Sequence, residues 1–456
     1  MTVYPRSWLL RAVLLIVFAA LASVSAATAQ HTDPSKTSSG LFTTSSIDGA
    51  QAWSAEPTIV RTRIVDVHLD VLGTANSPAD TVGIELFGDV SFTAVFERIE
   101  RTGLGGFAWI GRLEGVDHGR AVLVANKGLL AGSISMPGSH YEVRSTGNGA
   151  HAIHEIDQSA FPPETHGIQS PSPLKGERRE APALVDTCQQ IRVLVPYSPE
   201  ARAAAGGVAA MESLVALAVA ETNQSYVNSG LVQRIVLAHT METDPGDASN
   251  SFNTDLYALS NLSDGIFDNV DTARETYSAD MVGLIIENSS SCGIGFLNSE
   301  EDSAFTVTHR TCATGYYSFG HELGHNMSAR HDWYIDDAGG SSAYRKGFIN
   351  LADEWRTIMG YNTLCSDHGV YCNRLPYWSN PNVLYGGDPM GVSSAGPTNC
   401  TSGSLSPDPS TCAADNRLAL NNTCSTVANF RLGSGESIFV DGFESGNTSA
   451  WSSSVP

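Results

Sequence analysis

Between residues 57 and 160 the chain alternates apolar with polar positions. Val65, Val67, Leu69 and Val71 are interleaved with Asp66, His68 and Asp70. Similar runs recur at Phe92–Ile99, Ala121–Ala125, Leu129–Met136, His140–Arg144 and His151–Ile156. A period of two puts one face of a strand in a core and the other in water. Turn signals separate the runs: Asn126-Lys127-Gly128, Pro137-Gly138 and Asn148-Gly149. These features predict an all-β unit of hairpins. Five prolines and the charged run Lys175–Glu180 then interrupt the pattern over 161–183. Such a stretch is expected not to pack, and to serve as a linker open to proteolysis.

Beyond it the period changes. Ile191–Tyr197 is a short apolar strand. Gly207–Asn228 has helical spacing, with Val208, Met211, Val215, Ala218 and Tyr226 on one side and Gly230 as a C-terminal stop. Leu231–Leu237, Met281–Ile286 and Ala304–Thr308 follow as strands around a polar, partly helical stretch ending at Thr276. Strand, helix and strand with short connections predict an α/β unit with a mixed sheet.

Composition changes the picture at two points. All eight cysteines lie at or after Cys188. An even number confined to one half, without a C-x-x-C pair, points to disulfides and an oxidising compartment rather than to a cysteine metal site. Cys365 with Cys372 and Cys400 with Cys412 are the simplest pairs by proximity. The N-terminus agrees with export. Arg6 and Arg11 precede an apolar run from Ala12 to Val24, and Ala27-Thr28-Ala29 follows as a cleavage signal. That run is too short for a membrane anchor, and no other stretch is long and apolar enough to span a bilayer. The net charge of −22 is concentrated after residue 183, where 30 Asp+Glu face 12 Lys+Arg. This excludes nucleic acid and anionic membrane surfaces as natural partners. The organisation expected is a signal peptide over 1–29, a β-rich unit over 30–160, a linker over 161–183, an α/β unit over 184–432 and a short Gly/Ser-rich tail over 433–456.

The strongest chemical signal is HELGHNMSARHD, residues 321–332. His321 and His325, four apart, lie on one face of a helix about one turn from each other. That spacing suits two bonds to one tetrahedral zinc, with His331 as a third ligand from chain beyond the helix and a fourth position left open. Glu322 sits beside the first ligand, placed as a base rather than a ligand.

This motif, followed by Asp332 and a downstream methionine, resembles the metzincin signature, and most closely the reprolysin-like branch in its secreted bacterial form. IRVLVPYSPEARAAAGG resembles the start of such catalytic domains. CGIGFLN resembles their substrate-binding edge strand (Gly293, Ile294, Gly295, Phe296). TIMGY resembles the methionine turn with Met359, and LPYWSNP the segment walling the specificity pocket. The resemblance covers about 184–432, and the β-rich part before it resembles the propeptide of the same proteins. It implies a metzincin catalytic domain with a mixed sheet, an active-site helix and a small lower subdomain, and one catalytic Zn2+. The implied activity is hydrolysis of protein or peptide substrates with Glu322 as general base. Met359 is expected to floor the site, and Tyr361 is a candidate for the zinc or the oxyanion.

Two departures stand out. Ser328 occupies a position where the family has a Gly, seven residues after the first His. The propeptide has no cysteine, so its action as inhibitor requires another group. Asp336 and Asp337 are an alternative, calcium-binding feature. Two other readings stay open: a zinc-bound binding or adhesion module, which has no need of Glu322, and a peptidase of very narrow specificity.

Overall fold

The computed structural model describes residues 40–46, 56–170, 188–244, 248–249, 251–261, 264–336, 343–398, 400 and 409–431. The expected signal peptide, most of the linker, Asp337 and the tail lie outside these residues.

The hairpin signals produce one nine-stranded sheet. Its strands are β1 (Phe42–Thr44), β2 (Ile59–Val67), β3 (Thr81–Phe87), β4 (Val90–Arg101), β5 (Phe107–Leu113), β6 (Arg120–Asn126), β7 (Leu129–Met136), β8 (Ser139–Ser145) and β9 (His151–Ile156). The order is β1-β2-β9-β8-β7-β6-β5-β4-β3, with all pairs antiparallel. The alternation read through Val71 overshoots, because β2 stops at Val67 and Leu69–Leu72 is a 3-10 turn. Only Leu72 of that turn is buried.

The second sheet is mixed, as expected. It contains β10 (Ile168–Gln169), β11 (Gln190–Tyr197), β12 (Arg234–Glu242), β13 (Met281–Ile286), β14 (Gly293–Leu297) and β15 (Phe305–His309), in the order β10-β14-β15-β13-β11-β12. Strand β14 is antiparallel to β15, whereas β11, β12, β13 and β15 run parallel. The strand expected at Leu231 begins at Arg234. Residues 229–231 close the preceding helix, with the Leu231 N–H on Tyr226 O, and the Asn223 side chain then brackets Ile235 by bonding both its N–H and its C=O.

Helix α1 (Val208–Asn228) lies between the two sheets. Met211, Val215, Ala218 and Tyr226 enter the core of the second sheet, as their spacing predicts. The opposite face is also covered: Ala216, Leu217 and Ala220 pack on Ala108, Ile110, Val122, Val124 and Ala131 of the first sheet. A helix covered on both sides carries apolar residues on both faces, and its buried polar side chains, such as Asn223, are hydrogen-bonded. Val208 is the exception among the expected core positions, being exposed at the helix start.

Four disulfides join Cys188–Cys424, Cys292–Cys312, Cys365–Cys372 and Cys400–Cys412. The two proximity pairs are among them. Among the described residues no helix is long and apolar enough to cross a membrane.

The beginning of the proline-rich stretch is packed, contrary to the expectation for a linker. Phe161 is buried and stacks on Tyr316 at 4.4 Å, and Glu164 is buried. Backbone pairing with β14 supplies the hydrogen bonds that local periodicity does not signal.

Candidate active site

Helix α2 (Ser318–Asn326) carries the first two histidines. It ends in a Schellman turn: the Ala329 N–H donates to Gly324 O (2.9 Å) and the Ser328 N–H to His325 O (3.0 Å). Ser328 is the left-handed residue of that turn, at φ 73°, which is the conformation glycine adopts without cost. A non-Gly residue there costs roughly 1–2 kcal/mol. Ser328→Gly is therefore expected to raise stability by about 1 kcal/mol and Tm by a few degrees. Calorimetry checks this, and a lower Tm in the variant would contradict it.

The reversal returns the chain over the helix. Arg330 pairs with the backbone of Arg345 and Gly347 (2.7 and 2.9 Å), and Asp332 accepts the N–H groups of Tyr334 and Tyr361 (2.9 and 2.8 Å). Between these two anchors His331 faces the helix. Its Nε2 lies 3.1 Å from His321 Nε2 and 2.9 Å from His325 Nε2. The other ring nitrogens of His321 and His325 donate to Ile358 O and Ala329 O, both at 2.9 Å. With these Nδ1 atoms donating, as in a metal-bound histidine, the Nε2 lone pairs of His321 and His325 converge on His331. Burial holds all three rings neutral, pushing His325 down to about 4 and the other two well below the usual range.

Lone pairs this close repel unless a cation lies between them. Tetrahedral zinc bonded at about 2.0–2.1 Å separates its ligand nitrogens by roughly 3.3 Å. The triad needs only a few tenths of an ångström to accept it, so the residues present fit the metal.

Glu322 is fully buried, and its carboxylate lies against that of Glu164. Burial first, then the neighbouring Glu164 carboxylate, raises its pKa well above the usual range. It points at β14. A Cβ on Gly293 would lie 2.5 Å from Glu322 Oε1, and one on Gly295 would lie 3.3 Å from Oε2. The two glycines therefore let the strand pass against the carboxylate. Ile294 and Phe296 alternate into the core on the other face.

Met359 is buried and its sulfur is the neighbour of Gly324, between the two helical histidines. The Tyr361 ring lies 4.2 Å from the His331 ring, and its hydroxyl has no partner among the described residues. Asp336 is engaged by Arg330 and Lys346, so its carboxylate is accounted for without calcium.

Three residues that the motif reading missed join this site. Glu164 and His166 arrive on the packed segment before the linker, and Arg374 arrives on the chain just before the pocket-wall segment. The Cys292 N–H donates to Pro163 O (2.9 Å), the Thr165 N–H donates to Gly293 O (3.0 Å), and β10 pairs with Phe296 and Leu297 in parallel register. Residues 163–169 thus run along the strand that the signature assigns to substrate. The His166 ring is 5.4 Å from that of His331, and a Cβ on Gly167 would lie 3.1 Å from the His325 ring. One ligand atom each of Glu164, His321 and Glu322 lie within 4.8 Å of one another. Nothing local in ETHG announces this, because its partners are more than a hundred residues away.

Comparison with known proteins places these features. The Reprolysin_5 profile, metallo-peptidase family M12, matches residues 187–375. The peptidyl-Asp metalloendopeptidase of Stenotrophomonas maltophilia (strain R551-3) is 37% identical over 391 residues, covering 81% of this chain and 86% of that protein. The peptidyl-Asp metalloendopeptidase of Xanthomonas campestris pv. campestris is 33% identical over 419 residues, covering 88% and 93%. With identity at this level spanning most of both partners, the chain belongs to the bacterial M12 metallopeptidases and is a zinc metalloendopeptidase.

Proposed function

We propose that this chain is exported as a latent precursor and, once processed, hydrolyses peptide bonds beside aspartate. The observation that carries the reading is the convergence of three buried imidazole nitrogens beside a buried carboxylate and a glycine-lined strand. In this reading His321, His325 and His331 hold the zinc. The metal supplies the Lewis acidity that acidifies water and polarises a carbonyl. Glu322 accepts the proton of the attacking water and returns it to the leaving amine.

Gly293–Phe296 bind the substrate backbone as an added strand. Met359 floors the site, and the partnerless Tyr361 hydroxyl is directed to the developing oxyanion. The preference for aspartate is carried over from the named activity of the relatives. Export is supported by the leader-like first 29 residues and by four disulfides, which form and persist in oxidising compartments.

Latency rests on residues 163–169. They occupy the strand edge and the space over the histidines, and so exclude substrate. Glu164 and His166 supply the polar groups of that segment nearest the histidines.

The test is casein hydrolysis by processed protein with 1,10-phenanthroline, followed by zinc. Activity is expected to vanish with chelator and return with zinc. Hydrolysis that persists in the chelator would defeat the reading.

A further inference from the structure

We infer that Arg374 reads an acidic side chain in the substrate, and that Glu164 is a built-in copy of that side chain. The inference rests on the endopeptidase reading above, and it assigns the residue behind the aspartate preference.

Arg374 is completely buried. Its Nε and Nη2 donate to Ile358 O at 2.8 and 2.6 Å, and its Nη1 donates to Tyr316 O at 3.0 Å. The guanidinium lies 4.7 Å above the Tyr316 ring and touches His321 Nδ1. All of these partners belong to the catalytic unit. One does not: Nη1 also donates to Glu164 Oε1 at 2.5 Å. The Ser318 hydroxyl donates to the same oxygen at 2.6 Å. Glu164 Oε2 is buried on the side of Glu322.

Glu164 reaches this position from a segment added to the sheet edge. The backbone bonds that hold it there come from the residues on either side, Pro163 to Cys292 and Thr165 to Gly293. Its side chain therefore descends from an added strand into a buried cation beside the catalytic carboxylate. When residues 163–169 leave, the bonds to Ile358 and Tyr316 still hold Arg374 in place. The catalytic unit then keeps a fixed, buried guanidinium and a hydroxyl aimed at an empty position.

A buried cation without an anion is costly, and Arg matches a carboxylate better than any other side chain does. A substrate with Asp or Glu at this position restores the pair. A neutral isostere leaves the cation unpaired, and sites of this kind reject such analogues strongly. Through the same contact Glu164 acts as an internal competitor.

The test uses full chain folded intact, then cleaved within 171–187 and freed of its N-terminal fragment. Fluorogenic peptides differing only in Asp, Glu, Asn or Ala beside the bond cut are compared. Wild type is expected to favour Asp over Asn by about 10²-fold or more in kcat/KM. In Arg374→Gln that ratio should fall below about fivefold, whatever the overall rate. If wild type cuts without any acidic preference, the aspartate reading itself fails. If wild type prefers Asp and Arg374→Gln keeps the preference, only this inference is overturned.

A second measurement does not depend on the folding of that variant. Labelled peptides spanning residues 161–170, with Glu or Gln at 164, are titrated against the processed Glu322→Gln protein, in which the catalytic carboxylate is absent. The Gln form should bind at least about tenfold more weakly, and equal affinities would overturn the proposal.

Discussion

Glu322→Gln is expected to lower kcat by roughly 10²–10⁴-fold, the usual contribution of a positioned general base, while the protein keeps one zinc per chain and its fold. Glu322 is fully buried on α2, against the glycines of β14 and the Glu164 carboxylate. An isosteric amide can still meet the Glu164 carboxylate by donating its N–H to it. It also relieves the like-charge contact with Glu164. What it cannot do is accept a proton from water. Stability should be unchanged or slightly higher, so metal content and Tm separate loss of chemistry from loss of structure. Activity within a few fold of wild type, at equal zinc content, would remove Glu322 from the mechanism and favour a binding module that kept the fold.

The second large effect concerns the N-terminal segment. Residues 163–169 hold the edge of β14, Gly167 passes against His325, and His166 stacks on Tyr361 at 5.5 Å. In the proposed reading substrate uses the same edge, so the segment and substrate exclude one another. While the chain is intact, the segment is tethered at an effective concentration on the order of millimolar, so binding is strongly favoured. Cleavage between 171 and 187 removes the tether but not the contact. The nine-stranded sheet still packs on α1 through Ala108, Ile110, Val122 and Val124. Nicked protein at high concentration should therefore remain largely inactive. Activity should then appear as the fragment is diluted or degraded, giving a gain of at least about 100-fold over the intact chain.

The convergence of the three histidines was legible in the sequence because it is local. The His321/His325 spacing and the return to His331 each act over a few residues, and the three rings meet as that spacing predicts. The strands Leu129–Met136, His151–Ile156 and Met281–Ile286 were legible for the same reason, with bounds that match the periodic runs. Long-range consequences were not. A single apolar stripe on α1 gives no sign that its other face meets a second sheet. The segment FPPETHGIQ has no period, because its order comes from another strand. The Glu164–Arg374 pair joins positions 210 residues apart, and neither residue sits in a motif. Ser328 shows the opposite case. Its departure from glycine was visible in sequence, and the positive φ at that position gives the departure a physical meaning.

The account stands most directly on one assay. Full-length chain, nicked chain and chain separated from its N-terminal fragment are compared on casein at equal zinc content. The account predicts negligible hydrolysis by the intact chain, concentration-dependent hydrolysis by the nicked chain, and full activity after separation. Equal hydrolysis by intact and separated protein would contradict it, because the segment lying across His325 and Glu322 would then not be blocking the site.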